Sequence, residues 1–200
     1  LEGNQHRLGV VVGGGLPARE GIELAKNIIS DSHRLDEVGI AATRLNATIL
    51  QQIFTDVGCD VAQSIPTTTA ECAEMLNSHS VVVMGGTVPG HTTDAVAIAL
   101  ARDCGARNCV IATNVPYVFD KDPRKHDDAK PVFDISITDL EKITGTGKLL
   151  PGQSAVVDPV AVGWAKESSI DIAVLDGRNI SLLESALEGK EFDGTIIRSV

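Results

Sequence analysis

The strongest constraint on how this chain can fold is an alternation. Short runs of β-branched and aliphatic residues (LGVVV from Leu8, SVVVMGG from Ser80, NCVIATNV from Asn108, IDIAVLDG from Ile170) are separated by segments of helical periodicity such as RLDEVGIAATRLNATILQQIF and TTDAVAIALARDCG. Near-continuous apolar strands need cover on both faces, and intervening helices supply it. The pattern predicts an α/β fold, a three-layer α/β/α sandwich with a mostly parallel central sheet, in a single domain over residues 1–200. Further helices are predicted over ECAEML, from Asp158 over VAVGWAKES and over ISLLESALE, with a short strand at VAQSI and a terminal strand at GTIIRS. The charged passage from Phe119 to Val132 (FDKDPRKHDDAKPV) reads as an exposed loop, because its prolines oppose a regular element.

Composition removes several functions. With 43% hydrophobic residues in 200, the chain can bury a sizeable core. A formal charge of −10 is the wrong sign for coating nucleic acid or an anionic membrane. No apolar run approaches the roughly 20 residues of a membrane-spanning helix. Cys59, Cys72, Cys104 and Cys109 form no CxxC pair, so neither a zinc site nor a disulfide framework is indicated, and a reducing cytoplasm fits best.

Chemistry concentrates where strands run into helices. Gly13, Gly14 and Gly15 follow the first strand and precede Arg19 at the head of a helix. Bare backbone there lets amides approach a phosphate, and Arg19 can clamp an oxygen; a tight turn with a solvated arginine is the plain alternative. Gly85 to Asp94 (GGTVPGHTTD) is richer. Thr92 or Thr93 can cap the following helix and Pro89 can stiffen a turn, yet capping does not require Gly85, Gly86, Thr87, Gly90 and His91 as well. In TNVPYVFDKDP, Tyr117 and Phe119 stand out in a chain that is 3% aromatic. An aromatic there can stack on a purine or fill a small core, and Asp122 can orient ligand hydroxyls or magnesium or close an Asx turn with Pro123.

VVVGGG…AR, GGTVPGHTTDAVA and TNVPYVFDKDPRK resemble, in order and spacing, the archaeal-type uridylate (UMP) kinases of the amino acid kinase family. The resemblance runs from about Leu8 to Thr195 and takes in RLDEVGIAATRLNA, SAVVDPVAVGWA and FDGTIIR. It implies transfer of the γ-phosphoryl group of ATP to UMP, with Mg2+ carried by the nucleotide phosphates and a homo-oligomer, commonly a hexamer. By matching position it implies UMP contacts from Gly14, Asp36, Thr87, Val88, Pro89, Gly90, His91, Thr92 and Thr93. ATP contacts fall to Gly15, Arg19, Thr113, Asn114, Phe119 and Asp122. Asp158 matches a family aspartate that organises phosphate-binding groups, and is equally an ordinary helix cap.

Two departures stand out. Pro116-Tyr117-Val118-Phe119 replaces the family's usual Asp-Gly-Val-Tyr, removing a hydroxyl at the adenine position. The family's opening strand, Gly-Gly-Ser loop and first helix have no counterpart, and together with the absent initiating methionine this leads to the expectation that the natural chain starts roughly 25 to 35 residues upstream. Related kinases phosphorylate carbamate, acetylglutamate, aspartate or isopentenyl phosphate on one scaffold, and a storage or regulatory protein could keep the fold without catalysis, so fold alone does not fix the acceptor.

Overall fold

The computed structural model describes residues 7–121, 123, 125–144 and 156–199, and its contacts gather into two compact units, Leu1–Cys104 and Gly105–Val200. The glycine-rich stretch GTGKLLPGQSA and Asp122 lie outside the described residues.

The first unit runs β1 (Leu8–Val11), α1 (Gly15–Ala25), α2 (Ser32–Asp56), α3 (Thr69–Met75), β2 (Val81–Met84) and α4 (Thr93–Asp103). β1 and β2 pair in parallel, Leu8 against Val81 through Val11 against Met84. The expected strand at VAQSI is only a single bridge, Val61 to Val81. Its Gln63 and Ser64 are exposed, which leaves too little apolar surface to extend the pairing.

Alternation along β2 sends its side chains to opposite layers. Val82 and Met84 pack with Cys72 and Leu76 of the α3 segment and Val96 and Leu100 of α4. Val81 and Val83 pack with Ala47, Leu50 and Phe54 of α2. Both sheet faces are therefore covered, as the apolar runs require. α2 starts at Asp31, whose carboxylate accepts the His33 N–H at 2.9 Å, and then continues through 25 residues without proline. It is the element that both seals one face of the sheet and reaches the loops at the strand ends.

The second unit runs β3 (Asn108–Thr113), β4 (Val118–Phe119), β5 (Pro131–Val132), β6 (Asp134–Ser136), α5 (Ile137–Thr144), α6 (Pro159–Ser168), β7 (Asp171–Asp176), α7 (Ile180–Leu187) and β8 (Thr195–Arg198). Its sheet has the order β3-β7-β8-β6, with β7 and β8 antiparallel and the other two pairings parallel.

The Phe119–Val132 passage is not wholly irregular. Its ends close a small antiparallel ladder, Val118 against Val132 and Phe119 against Pro131. Proline is tolerated because such a short pair is all edge and asks for few donors. Buried Thr195 fastens it: its hydroxyl accepts the Val118 N–H at 2.9 Å and donates to the Val132 carbonyl.

Candidate functional site

In the first unit, the carboxyl ends of β1 and β2 lie side by side, so the two glycine turns that follow them are neighbours. The Val12 N–H extends the ladder to the Met84 carbonyl at 2.8 Å. Gly14 is the residue before α1, and Gly15 opens it at a φ of +55°, a left-handed conformation that a side chain would strain. Arg19 lies exposed on the same helix.

The second turn is pressed onto α2. A Cβ at Gly85 would sit 2.6 Å from Thr43 Oγ1 and 2.8 Å from the Arg44 backbone nitrogen, so only glycine fits. Thr43, buried on α2, donates its hydroxyl to the Ile40 carbonyl at 2.6 Å and accepts the Gly86 N–H at 2.7 Å. Arg44 donates from Nε to the Gly86 carbonyl and from Nη2 to the Thr87 carbonyl, each at 3.3 Å. Asn46 Nδ2 donates to the carbonyls of Gly13 and Gly14 at 2.8 and 3.1 Å. One helix thus holds both turns.

Asp36, exposed near the start of α2, accepts the Gly90 N–H at 2.9 Å and ties the far end of the second turn to the same helix. Thr87 and Pro89 are half-buried, whereas Val88, Gly90 and His91 are exposed. Thr92, not Thr93, caps α4, accepting the Ala95 N–H at 3.2 Å. Thr93 is the first residue of that helix, and its hydroxyl lies nearest the space above Gly13, 3.8 Å from where a Cβ there would stand. Gly14, Gly15, Asp36 and the run Thr87–Thr93 therefore gather at one edge. Thr43, Arg44 and Asn46 were missed as site residues, although they lie within RLDEVGIAATRLNA; polar side chains at spacings of one and two on an otherwise apolar-faced helix were the available signal.

In the second unit, Thr113 ends β3 opposite Asp176 at the end of β7, and the Thr113 carbonyl accepts the Gly177 N–H at 2.8 Å. Arg178 forks onto Asp176, Nε to Oδ1 at 2.8 Å and Nη2 to Oδ2 at 2.6 Å, and reaches the Asn114 carbonyl at 3.3 Å. The Arg178 side-chain hydrogen bonds, aided by its backbone N–H, hold the Asp176 carboxyl down at about 2. Phe119 meets Tyr117 edge-on at 6.2 Å, and Tyr117 meets Phe133 edge-on at 5.3 Å. The Tyr117 hydroxyl donates to Asp193 at 2.6 Å, and that bond raises its pKa. Asp158 caps α6 through the Val160 N–H at 3.0 Å and is 7% exposed. Among the described residues, no group of three His, Cys, Asp or Glu is arranged to hold a metal ion.

Glycine turns after parallel strands, held against a helix, define an α/β protein whose bare backbone suits oxyanions. Residues 1–176 match the Amino acid kinase family, and the chain belongs to that family. Over 192 residues it is 41% identical to the uridylate kinase of Methanocaldococcus jannaschii, covering 96% of this chain and 83% of that relative. The crystal structure of uridylate kinase from Archaeoglobus fulgidus superposes with a TM-score of 0.85 at 36% identity, over 96% of this chain and 85% of that one. UMP kinase from Bacillus anthracis shares the fold, with a TM-score of 0.76 at 21% identity over 95% of this chain and 79% of its own.

Proposed function

We propose that this chain is a UMP kinase, transferring the γ-phosphoryl group of ATP to UMP to give UDP and ADP. The observation that carries the reading is the edge of the first unit, where Gly14, Asp36 and Thr87–Thr93 are gathered and fixed by α2. Uridylate kinases at 41% and 40% identity support it.

In this reading the acceptor lies along Thr87–Thr93, with Gly14 at its phosphate and Asp36 at its ribose. Asp36 spends one lone pair on Gly90 and, as a carboxylate, keeps others for hydroxyls. Gly15 and Arg19 serve the transferred group. Thr113, Asn114 and Phe119 of the second unit serve ATP, together with Asp122. Phosphoryl transfer asks the protein for alignment and charge neutralisation more than for covalent chemistry, and amides with an arginine provide both. Mg2+, carried by the nucleotide phosphates when they bind, would neutralise their charge.

Two finer features belong to the same proposal. α2 and its end present Leu45, Ile49, Ile53 and Val57 at four-residue spacing, each 52–67% exposed, and this stripe supports a homo-oligomer, with a hexamer as the family's form. The four free cysteines fit a reducing cytoplasm. Steady-state assays with ATP and Mg2+ against UMP, CMP, dTMP, AMP and small carboxylates test the function. UMP is expected to exceed CMP by at least a hundredfold, since a site that pairs with uracil N3–H and O4 leaves its polar groups unmatched on cytosine. Equal turnover of the two, or preference for a carboxylate, would overturn it.

A further inference from the structure

We propose that Asn46, together with Arg44, is a positioning residue that aims the backbone N–H groups of both glycine turns toward the ligand. The inference rests on the kinase reading for its choice of ligand, and on peptide geometry for the rest.

In a planar trans peptide the carbonyl of one residue and the N–H of the next point in opposite directions. Asn46 draws the carbonyl of Gly13 toward α2 and shares that of Gly14 with the Ala18 N–H, which opens the α1 ladder at 3.1 Å, so the N–H groups of Gly14 and Gly15 are turned away from Asn46. Arg44 draws in the carbonyls of Gly86 and Thr87, which turns the N–H groups of Thr87 and Val88 away in the same manner. Among the described residues, none of these N–H groups enters a backbone hydrogen bond between elements. Two successive N–H groups from each turn thus face outward, an arrangement suited to oxyanions.

Residue chemistry accounts for the choice of side chains. A carbonyl can only accept, so the group holding two of them must offer two donors from one place. The asparagine amide does so through Nδ2, and the guanidinium through its fork. Aspartate, of the same shape, offers none. The nearby Thr43 hydroxyl fixes the Gly86 N–H and thereby the entry to the second turn, but it turns no N–H outward.

The test is a kinetic split. Asn46→Asp is expected to lower kcat and raise the acceptor KM, reducing kcat/KM at least tenfold, about 1.4 kcal/mol, because its turn reaches the transferred group. Arg44→Met is expected to raise the acceptor KM at least tenfold with a smaller change in kcat, and Arg44→Lys to recover part of that loss. Melting temperatures, read alongside, separate positioning from support. Variants that melt lower yet keep wild-type kcat and KM below the transition would overturn the proposal, as would Arg44→Lys no better than Arg44→Met. Asn46→Leu, isosteric and uncharged, repeats the test should Asn46→Asp fail to fold. If the acceptor panel identifies a substrate other than UMP, the kinase reading falls, while the same split, measured on that substrate, still decides this one.

Discussion

Two buried threonines do the same mechanical work in the two units, with opposite results. Thr43 Oγ1 accepts the Gly86 N–H and donates to the Ile40 carbonyl; Thr195 Oγ1 accepts the Val118 N–H and donates to the Val132 carbonyl. Each anchors the segment that follows a strand. In the first unit the anchored segment is bare backbone, with its carbonyls held from behind and its amides turned outward. In the second unit the anchored segment carries side chains that satisfy one another, Tyr117 with Asp193, Phe119 and Phe133. The first edge is built before a ligand arrives, whereas the second has contacts to exchange. Preorganised donors cost little reorganisation at the moment of reaction, which suits the acceptor-site role proposed for the first edge.

The largest expected effect is that of Gly85→Ala. Its methyl would overlap the Arg44 backbone nitrogen at 2.8 Å as well as Thr43, and backbone cannot yield as a flexible side-chain tip can. A loss of about 3 kcal/mol in urea unfolding is expected, with UMP binding abolished. Wild-type stability would mean that α2 does not set the second turn.

Thr43→Val and Thr195→Val sharpen the comparison. Each strands buried polar groups at an expected cost of about 1–3 kcal/mol. UMP affinity by calorimetry should fall only for Thr43→Val, and the KM for ATP should rise only for Thr195→Val. Equal effects on both ligands would erase the distinction between the units.

A smaller effect separates adjacent residues. Thr92→Ala, which removes the α4 cap, should cost about 1 kcal/mol of stability. Thr93→Ala should leave stability within about 0.5 kcal/mol and weaken UMP binding. The reverse pattern would return Thr93 to the capping role.

Much of this was legible in the sequence, and the failures have causes. The strands at Val81–Met84 and Asp171–Asp176 and the long helix Ser32–Asp56 followed from periodicity, because both sheet faces and one helix face are committed to cores. The edge at Gly14 and Thr87–Thr93 was legible because turns that need bare backbone leave glycines in a row. The hairpin of Val118–Phe119 and Pro131–Val132 was hidden, since its stability comes from Thr195, distant in sequence, and not from local propensity. The roles of Asn46 and Arg44 were hidden for the same reason: what they hold is more than 30 residues away. Which of Thr92 and Thr93 caps α4 depends on a backbone angle, with Thr92 extended at a ψ of 162°, that composition does not reveal.

The smallest expected effect is a titration. Asp176 has a folded pKa near 2, below the roughly 3.9 of a free aspartate, so its clasp with Arg178 stabilises the fold above about pH 3.9 and that contribution is lost as pH falls toward 2. The Asp176 carboxyl, followed by NMR through its carbon shift, should remain largely ionised at pH 3, and in Arg178→Ala, which keeps only the backbone N–H bond, its midpoint should move up toward the ordinary value. A wild-type midpoint near 4 would show that the clasp does not persist in solution.

The central claim, that the first edge is an acceptor site of preset backbone donors, is tested most directly by following backbone amide resonances as UMP is added without ATP. The largest shifts are expected at Gly14, Thr87, Val88 and Thr93, with Thr113, Asn114 and Phe119 nearly still. Shifts concentrated at Thr113–Phe119 with Gly14 and Thr87 unmoved would contradict the account.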